Sequence, residues 1–317
     1  MGRMHASVYE TLDGAELVVV CDKSADRLSD FATSFGCATF QDFDQMVASG
    51  IDVVDICLPT HLHKEFVLRA AAAGKQVFCE KPMALNLSDA DTMIRACEDA
   101  NVVLMIGHCI RFWPEYSLLK GLVESQELGK LLSLNLTRYG QFPSWSSDNW
   151  LADESKAGGG VLDMHIHDTD FAHFLLGEPH EMVSFGSIDS TGPSQVFTTM
   201  VFGGTVVHLE GGWNLPDHTP FRMSFRAIFE NGAAIMDGGP LQIFENGKQP
   251  VTPEFPKMQA TGGGNISDLG GYYHELKYFV DCVTTNTPLK TVTPQTSRQS
   301  LATTLKEIEL IRSHASS

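Results

Sequence analysis

The chain has 317 residues, with 39 Asp and Glu against 22 Lys and Arg, a formal net charge of −17. A hydrophobic share of 43% excludes a disordered chain, and the length exceeds what one compact core usually fills, so two domains are expected. The acidic balance, with no Lys/Arg cluster to reverse it locally, argues against nucleic acid and anionic membrane surfaces as partners.

The first hundred residues alternate two periods. Residues 16–21 form a short β-rich run, 25–35 are amphipathic and stop at Gly36, and 52–58 are a nearly continuous apolar strand. A helix over 62–73 ends at Gly74, 76–79 form a strand, 88–100 a helix with Ser88 as its cap, and 102–106 a strand. Strands that are apolar throughout, alternating with helices, predict a doubly wound parallel sheet covered on both faces. Beyond residue 112 the texture changes. Residues 131–139, 196–202, 205–211, 223–229, 233–236 and 241–244 read as strands joined by turns such as Gly203-Gly204 and Asn231-Gly232, with a helical insert over 160–176. Two terminal helices follow, over 272–284 and 296–313, and mobile loops are expected at 189–193 and 260–265. The fold class is therefore α/β: a Rossmann-type domain over 1–112, and an α+β domain over 113–317 built on a large, mostly antiparallel open sheet. The terminal helices are expected to pack back on the first domain.

The seven cysteines make an odd count with no Cys-x-x-Cys pair, which argues against a disulfide framework and a thiolate zinc site. With no apolar run of membrane length and no hydrophobic leader core, the expected compartment is the cytoplasm.

In a dinucleotide-binding fold an acidic residue ends the second strand about 20 residues after the glycine turn and accepts hydrogen bonds from the adenosine ribose. Asp22 ends the run 18–21, 20 positions after Gly2. Its charge favours NAD, while Lys23, Ser24 and Arg27 leave NADP open. Gly2 fits only the third glycine of the fingerprint, the one that lets helix and strand pack closely. A first strand, central in the usual order, is missing ahead of it, and the chain is expected to begin inside a longer reading frame.

The run Cys79-Glu80-Lys81-Pro82 after a buried strand, the run Gly158-Gly159-Gly160-Val161-Leu162-Asp163 continuing to His167, and Leu58-Pro59-Thr60 followed by His63 together resemble the Gfo/Idh/MocA (glucose-fructose oxidoreductase / inositol dehydrogenase) family. The likeness extends from Gly2 to the terminal helices. It implies an NAD(P)-dependent oxidoreductase of sugars, cyclitols or polyols that forms dimers or tetramers. Glu80, Lys81 and Pro82 would lie against the cofactor, with Lys81 bridging the nicotinamide and the reacting hydroxyl. Pro59, Thr60 and His63 would line the nicotinamide side, and Asp163 and His167 would orient substrate and move the proton. An NAD-dependent glycosidase on the same scaffold, and a non-catalytic member, are the alternatives.

Chemistry supports these roles independently. Taking a hydride from a secondary alcohol needs a base for the hydroxyl proton and a cation for the developing alkoxide, which His167 and Lys81 supply. Asp163, four residues before His167, would share its helical face and fix the imidazole tautomer, and Asp170 would continue that face. Asp163, His165, His167 and Asp170 cannot converge on one metal, because the two histidines meet on a strand and the Asp163–His167 pair only on a helix, so no metal is expected. His165, where the resemblance favours a small residue, is expected to line the substrate pocket. His108, Arg111, Trp150 and Tyr273 are further substrate candidates.

Overall fold

A computed structural model describes residues 1–256 and 270–315; the loop expected at 260–265 lies outside them. The first half runs α1 (Gly2–Tyr9), β1 (Val19–Cys21), α2 (Ala25–Phe35), β2 (Ala38–Phe40), α3 (Phe43–Val47), β3 (Val53–Ile56), α4 (His63–Ala72), β4 (Gln76–Glu80), α5 (Leu87–Asp99) and β5 (Leu104–Gly107). Local chemistry sets the boundaries. The Ser24 hydroxyl accepts from the Arg27 amide at the start of α2, and Gly36, at φ +66°, closes it in the left-handed conformation. The cap of α5 is Asn86, whose side chain accepts from the Asp89 amide, and not Ser88 two residues on. All pairings in this half are parallel. They form two sheets, β1-β2 and β3-β4-β5, split between β1 and β3 where the central strand was expected to be missing.

The second half runs α6 (Pro114–Ser125), β6 (Leu131–Gln141), α7 (Glu154–Ala157), a π-helical turn (Val161–His165), α8 (Ile166–Leu176), β7 (Glu181–Asp189), β8 (Gly192–Phe202), β9 (Thr205–Leu215), β10 (Arg222–Phe229), β11 (Gly232–Met236), β12 (Gln242–Glu245), α9 (Gly270–Thr284) and α10 (Pro294–Ala315). The seven strands order as β12-β11-β10-β6-β9-β8-β7, antiparallel except for the β6–β9 pair. Residues alternate along β6, with Leu134, Leu136 and Arg138 buried beneath the helices. On the sheet's open face Val183, Phe185, Phe197 and Val206 remain exposed.

Two large apolar clusters hold the molecule together, and each draws on both halves. One joins Met4 and Val8 of α1 and Phe78 of β4 to Leu134, Phe225 and Phe279. The other joins Val54, Val77 and Ile106 of the parallel strands to Val161, Ile166, Leu301 and Ile311. Among the described residues, no helix is long and apolar enough to cross a membrane.

Candidate active site

The carboxyl ends of β3 and β4 carry the segments 58–60 and 80–82, and His63, at the start of α4, ties them together. Its Nδ1 lies 2.8 Å from the Pro82 carbonyl and its Nε2 2.8 Å from that of Leu58. Burial lowers the affinity of this ring for a second proton, and a neutral imidazole donates to only one of the two carbonyls at a time. His63 therefore acts on the backbone around the site; fully buried, it offers no free edge to a ligand. Pro59 is half-buried, and Thr60 is buried with its hydroxyl lacking a partner.

Lys81 leaves the end of β4 and reaches the second half of the chain. Its Nζ donates to the Asp163 carbonyl at 2.8 Å and approaches Asp163 Oδ1 at 3.4 Å. Glu80 stays buried behind it: one oxygen accepts from the Lys81 amide at 3.1 Å, and the other is 3.1 Å from His5 Nε2. The three glycines set the position of Asp163. Gly158 closes α7 at φ +79°. Gly159, at φ +82°, passes so near β8 that a Cβ would stand 2.7 Å from the Pro193 carbonyl, and one on Gly160 would stand 3.0 Å from Trp213 and the Ser194 carbonyl. This close approach feeds directly into the π-helical turn that carries Asp163.

That turn corrects one expectation. Asp163 lies in the π-helical turn and His167 in α8, and the partner of the carboxylate is Lys81 rather than the imidazole. His167 Nδ1 is buried and unpartnered. Burial, then the positive charges of Lys81 and Arg138, drive the His167 pKa well below the ordinary imidazole value, so the ring is neutral at physiological pH. Arg138, a residue the sequence did not single out, is buried on β6 and bonds Asp168 of α8 at 3.0 Å.

Several other expected ligand contacts are occupied within the protein. Arg111 is 3% exposed and forks onto Asp170, with Nε at 2.8 Å and Nη2 at 2.6 Å, while Nη1 bonds the Thr291 carbonyl. His165 is not a pocket residue: it is fully buried, with Nε2 3.0 Å from Glu307, and fills the notch left by Gly211, where a Cβ would come within 2.4 Å of the ring. Trp150 packs in a small cluster with Leu151, Ala157 and Trp213. Tyr273 is half-buried on α9 with its ring edge-on to His274. The Asp22 carboxylate, expected to meet ribose hydroxyls, accepts Arg27 Nε and Nη2 at 2.9 and 2.8 Å and the Ser24 amide at 2.7 Å. Gly2 is under no packing demand, since a Cβ there would meet Cys57 at an ordinary 3.8 Å. His108 is buried, with neither ring nitrogen hydrogen-bonded, and burial, partly offset by Asp170, lowers its pKa to about 4.

The residues fit a dinucleotide at its nicotinamide end. Thr60 Oγ1 and both His108 nitrogens are buried polar atoms without hydrogen-bond partners, and Lys81 and Asp163 adjoin the sheet's carboxyl edge, where open α/β folds take ligands. At the adenosine end a ribose would have to share Asp22 with Arg27.

Two family models match the chain in succession: "Oxidoreductase family, NAD-binding Rossmann fold" over residues 1–108 and "GFO/IDH/MocA C-terminal domain" over 116–235. Among relatives, the 2,7-anhydro-N-acetylneuraminate hydratase of Escherichia coli K12 is 32% identical over 65% of this chain and 58% of its own length. The myo-inositol 2-dehydrogenase of Thermotoga maritima is 35% identical over 58% of this chain and 54% of its own. The chain thus spans little more than half the length of these relatives. Among solved structures, an oxidoreductase from Agrobacterium radiobacter in complex with NAD+, L-tartaric acid and magnesium superposes with a TM-score of 0.86 at 20% identity, over 98% of this chain and 93% of that one. A levoglucosan dehydrogenase in complex with NADH and levoglucosan gives 0.83 at 23% identity, over 99% and 95%. With both successive domain models matched and the same architecture throughout, the chain belongs to the Gfo/Idh/MocA family of oxidoreductases.

Proposed function

We propose that the chain transfers a hydride between a nicotinamide dinucleotide, NAD in preference to NADP, and a secondary hydroxyl or carbonyl carbon of a sugar, cyclitol or polyol. The observation that carries this reading is the reach of Lys81 from the end of β4 to Asp163, which sets an ammonium beside a neutral imidazole on α8. When bound, the dinucleotide supplies the hydride acceptor or donor. Lys81 Nζ donates to the substrate oxygen and stabilises its developing negative charge. Asp163 holds that ammonium in place, and with Nδ1 of His167 buried, Nε2 is the nitrogen that takes the hydroxyl proton. The names of the inositol and levoglucosan dehydrogenase relatives point to the same substrate class.

A second reading is favoured by the hydratase relatives: transient oxidation, elimination and re-reduction, as in an NAD-dependent glycosidase, with no net change in the dinucleotide. Incubating the purified chain with NAD+ and a panel of inositols, monosaccharides, anhydrosugars and glycosides separates the two. Net NADH formation supports the first reading, and release of an aglycone without NADH supports the second. Neither product from any substrate, with NADH binding intact, rejects both. The exposed apolar residues of the open sheet support pairing between copies of the chain. The free cysteines support a reducing, cytoplasmic setting.

A further inference from the structure

Outside the Lys81–His167 site, the structure gathers a second group of reactive side chains between α1 and β3. His5 Nδ1 lies 2.8 Å from Asp55 Oδ2 and 3.2 Å from Cys57 Sγ, and Sγ lies 3.4 Å from Asp55 Oδ1. His5 on α1 meets Asp55 of β3 and Cys57, the residue that follows the strand and lies two positions on, where an extended chain returns to the same side. We propose that His5, Asp55 and Cys57 form a binding site for one Zn2+ ion.

Three independent features support the assignment. The first is distance: Zn–N and Zn–O bonds of about 2.0–2.1 Å and a Zn–S bond of about 2.3 Å give tetrahedral ligand separations of roughly 3.3–3.6 Å. With Asp55 offering one oxygen, the three ligand atoms lie within 4.8 Å of one another; the Nδ1–Sγ separation of 3.2 Å needs to open by a few tenths of an ångström and the Nδ1–Oδ2 separation of 2.8 Å by about half an ångström. The second is the surrounding shell. Zinc-bound imidazoles carry a carboxylate on their other nitrogen, and ligating carboxylates are themselves hydrogen-bonded. Here Glu80 Oε1 stands 3.1 Å from His5 Nε2, within ion-pair distance though without hydrogen-bond geometry, and the Tyr9 hydroxyl bonds Asp55 at 3.0 Å. The third is charge. Among the described residues Asp55 and Glu80 have no ion-pair partner except His5. A divalent cation that displaces the thiol proton and the imidazole Nδ1 proton puts two positive charges where two protons were, so the buried cluster gains no net charge. Asp55 and Cys57 are only half-buried, which leaves a route for water as a fourth ligand.

This site involves neither Lys81 nor His167 and stands whether or not the chain oxidises sugars. The test is to strip the full chain with a chelator, load it with ZnCl2, desalt it and count bound zinc. One equivalent is expected for the wild-type chain and for Cys97→Ala, which alters a buried thiol elsewhere, and none for Cys57→Ala or His5→Asn. Glu80→Gln should weaken zinc binding about 10–100-fold. Loading with CoCl2 provides a readout that does not depend on the variants folding, because a thiolate ligand produces an intense near-ultraviolet charge-transfer band in the wild-type chain. Absence of that band, or zinc retained equally by wild type and a folded Cys57→Ala chain, overturns the assignment.

Discussion

Replacing Asp170 with alanine isolates the buried pair that anchors α8, the helix carrying His167. Asp170 is fully buried, and its two oxygens take Arg111 Nε and Nη2 at 2.8 and 2.6 Å and the Ser300 hydroxyl at 2.7 Å. Without the carboxylate, a 3% exposed guanidinium keeps the Thr291 carbonyl and Thr296 hydroxyl as hydrogen-bond partners but no counter-charge. Breaking a buried pair from one side costs about 3–5 kcal/mol, a roughly 10²- to 10⁴-fold loss in the folded-to-unfolded ratio. The double substitution Arg111→Met/Asp170→Leu removes both charges and their desolvation and should recover most of that loss. Urea unfolding followed by far-ultraviolet circular dichroism measures both. The pH dependence has a fixed sign. Burial raises the Asp170 pKa, but Arg111 and His108 outweigh it and hold the folded value below the ordinary one. The pair therefore contributes fully above the unfolded value of about 3.9, and its contribution disappears as pH falls through the folded value. A loss below about 1 kcal/mol in Asp170→Ala, or a double variant no more stable than that single one, refutes the description of Asp170 as the counter-charge that the buried Arg111 requires.

Lys81→Ala should lower kcat by about 10²–10⁴ while leaving NADH affinity near the wild-type value, since the ammonium acts on charge that develops in the transition state. Steady-state kinetics together with a fluorescence titration of NADH checks both halves. For His167, with a pKa well below the ordinary imidazole range, the acid limb of kcat/KM should fall below about pH 6.5. The residual activity of Lys81→Ala should show that limb moved upward, because one of the charges that disfavours the imidazolium has gone. Gly159→Ala, forced into φ +82° with its Cβ 2.7 Å from the Pro193 carbonyl, should cost about 2 kcal/mol or more in urea unfolding. Phe185→Asp/Phe197→Asp, which charges the open face of the sheet, should shift the chain to monomers in sedimentation if copies pair through that face.

Long elements were legible in the sequence because their burial follows a clear period: β6 alternates along its length, and the buried core of β4 reads as a continuous apolar run. Elements without such a pattern were not. β2 is three exposed or half-exposed residues, α3 is five residues long, and most of β7 faces solvent, so their hydrophobic pattern is too weak to mark them. In the site, Lys81 and Asp163 were identified through the resemblance and are brought together, but the relation of Asp163 to His167 was misjudged because α-helical spacing was assumed across a π-helical turn. Arg111 was expected near substrate from its place after the last parallel strand, and His165 because it stands where the resemblance favours a small residue. Their partners, Asp170 and Glu307, lie 59 and 142 residues away along the chain, a distance no local pattern spans. The same holds for His5, whose partners Asp55 and Glu80 become its neighbours only through the parallel sheet.

The two apolar clusters that each draw on both halves bear on how the molecule comes apart. Cutting between β5 and α6 would strip Phe78 and Met105 of their cover from Phe279, and Val161 and Ile166 of theirs from the parallel strands. Neither fragment would keep a complete interior. Melting should therefore proceed as a single calorimetric event, not as two independent transitions. The unit that folds would then be larger than either sequence domain, and any ligand bound where Lys81 meets Asp163 would raise the melting temperature of the whole chain.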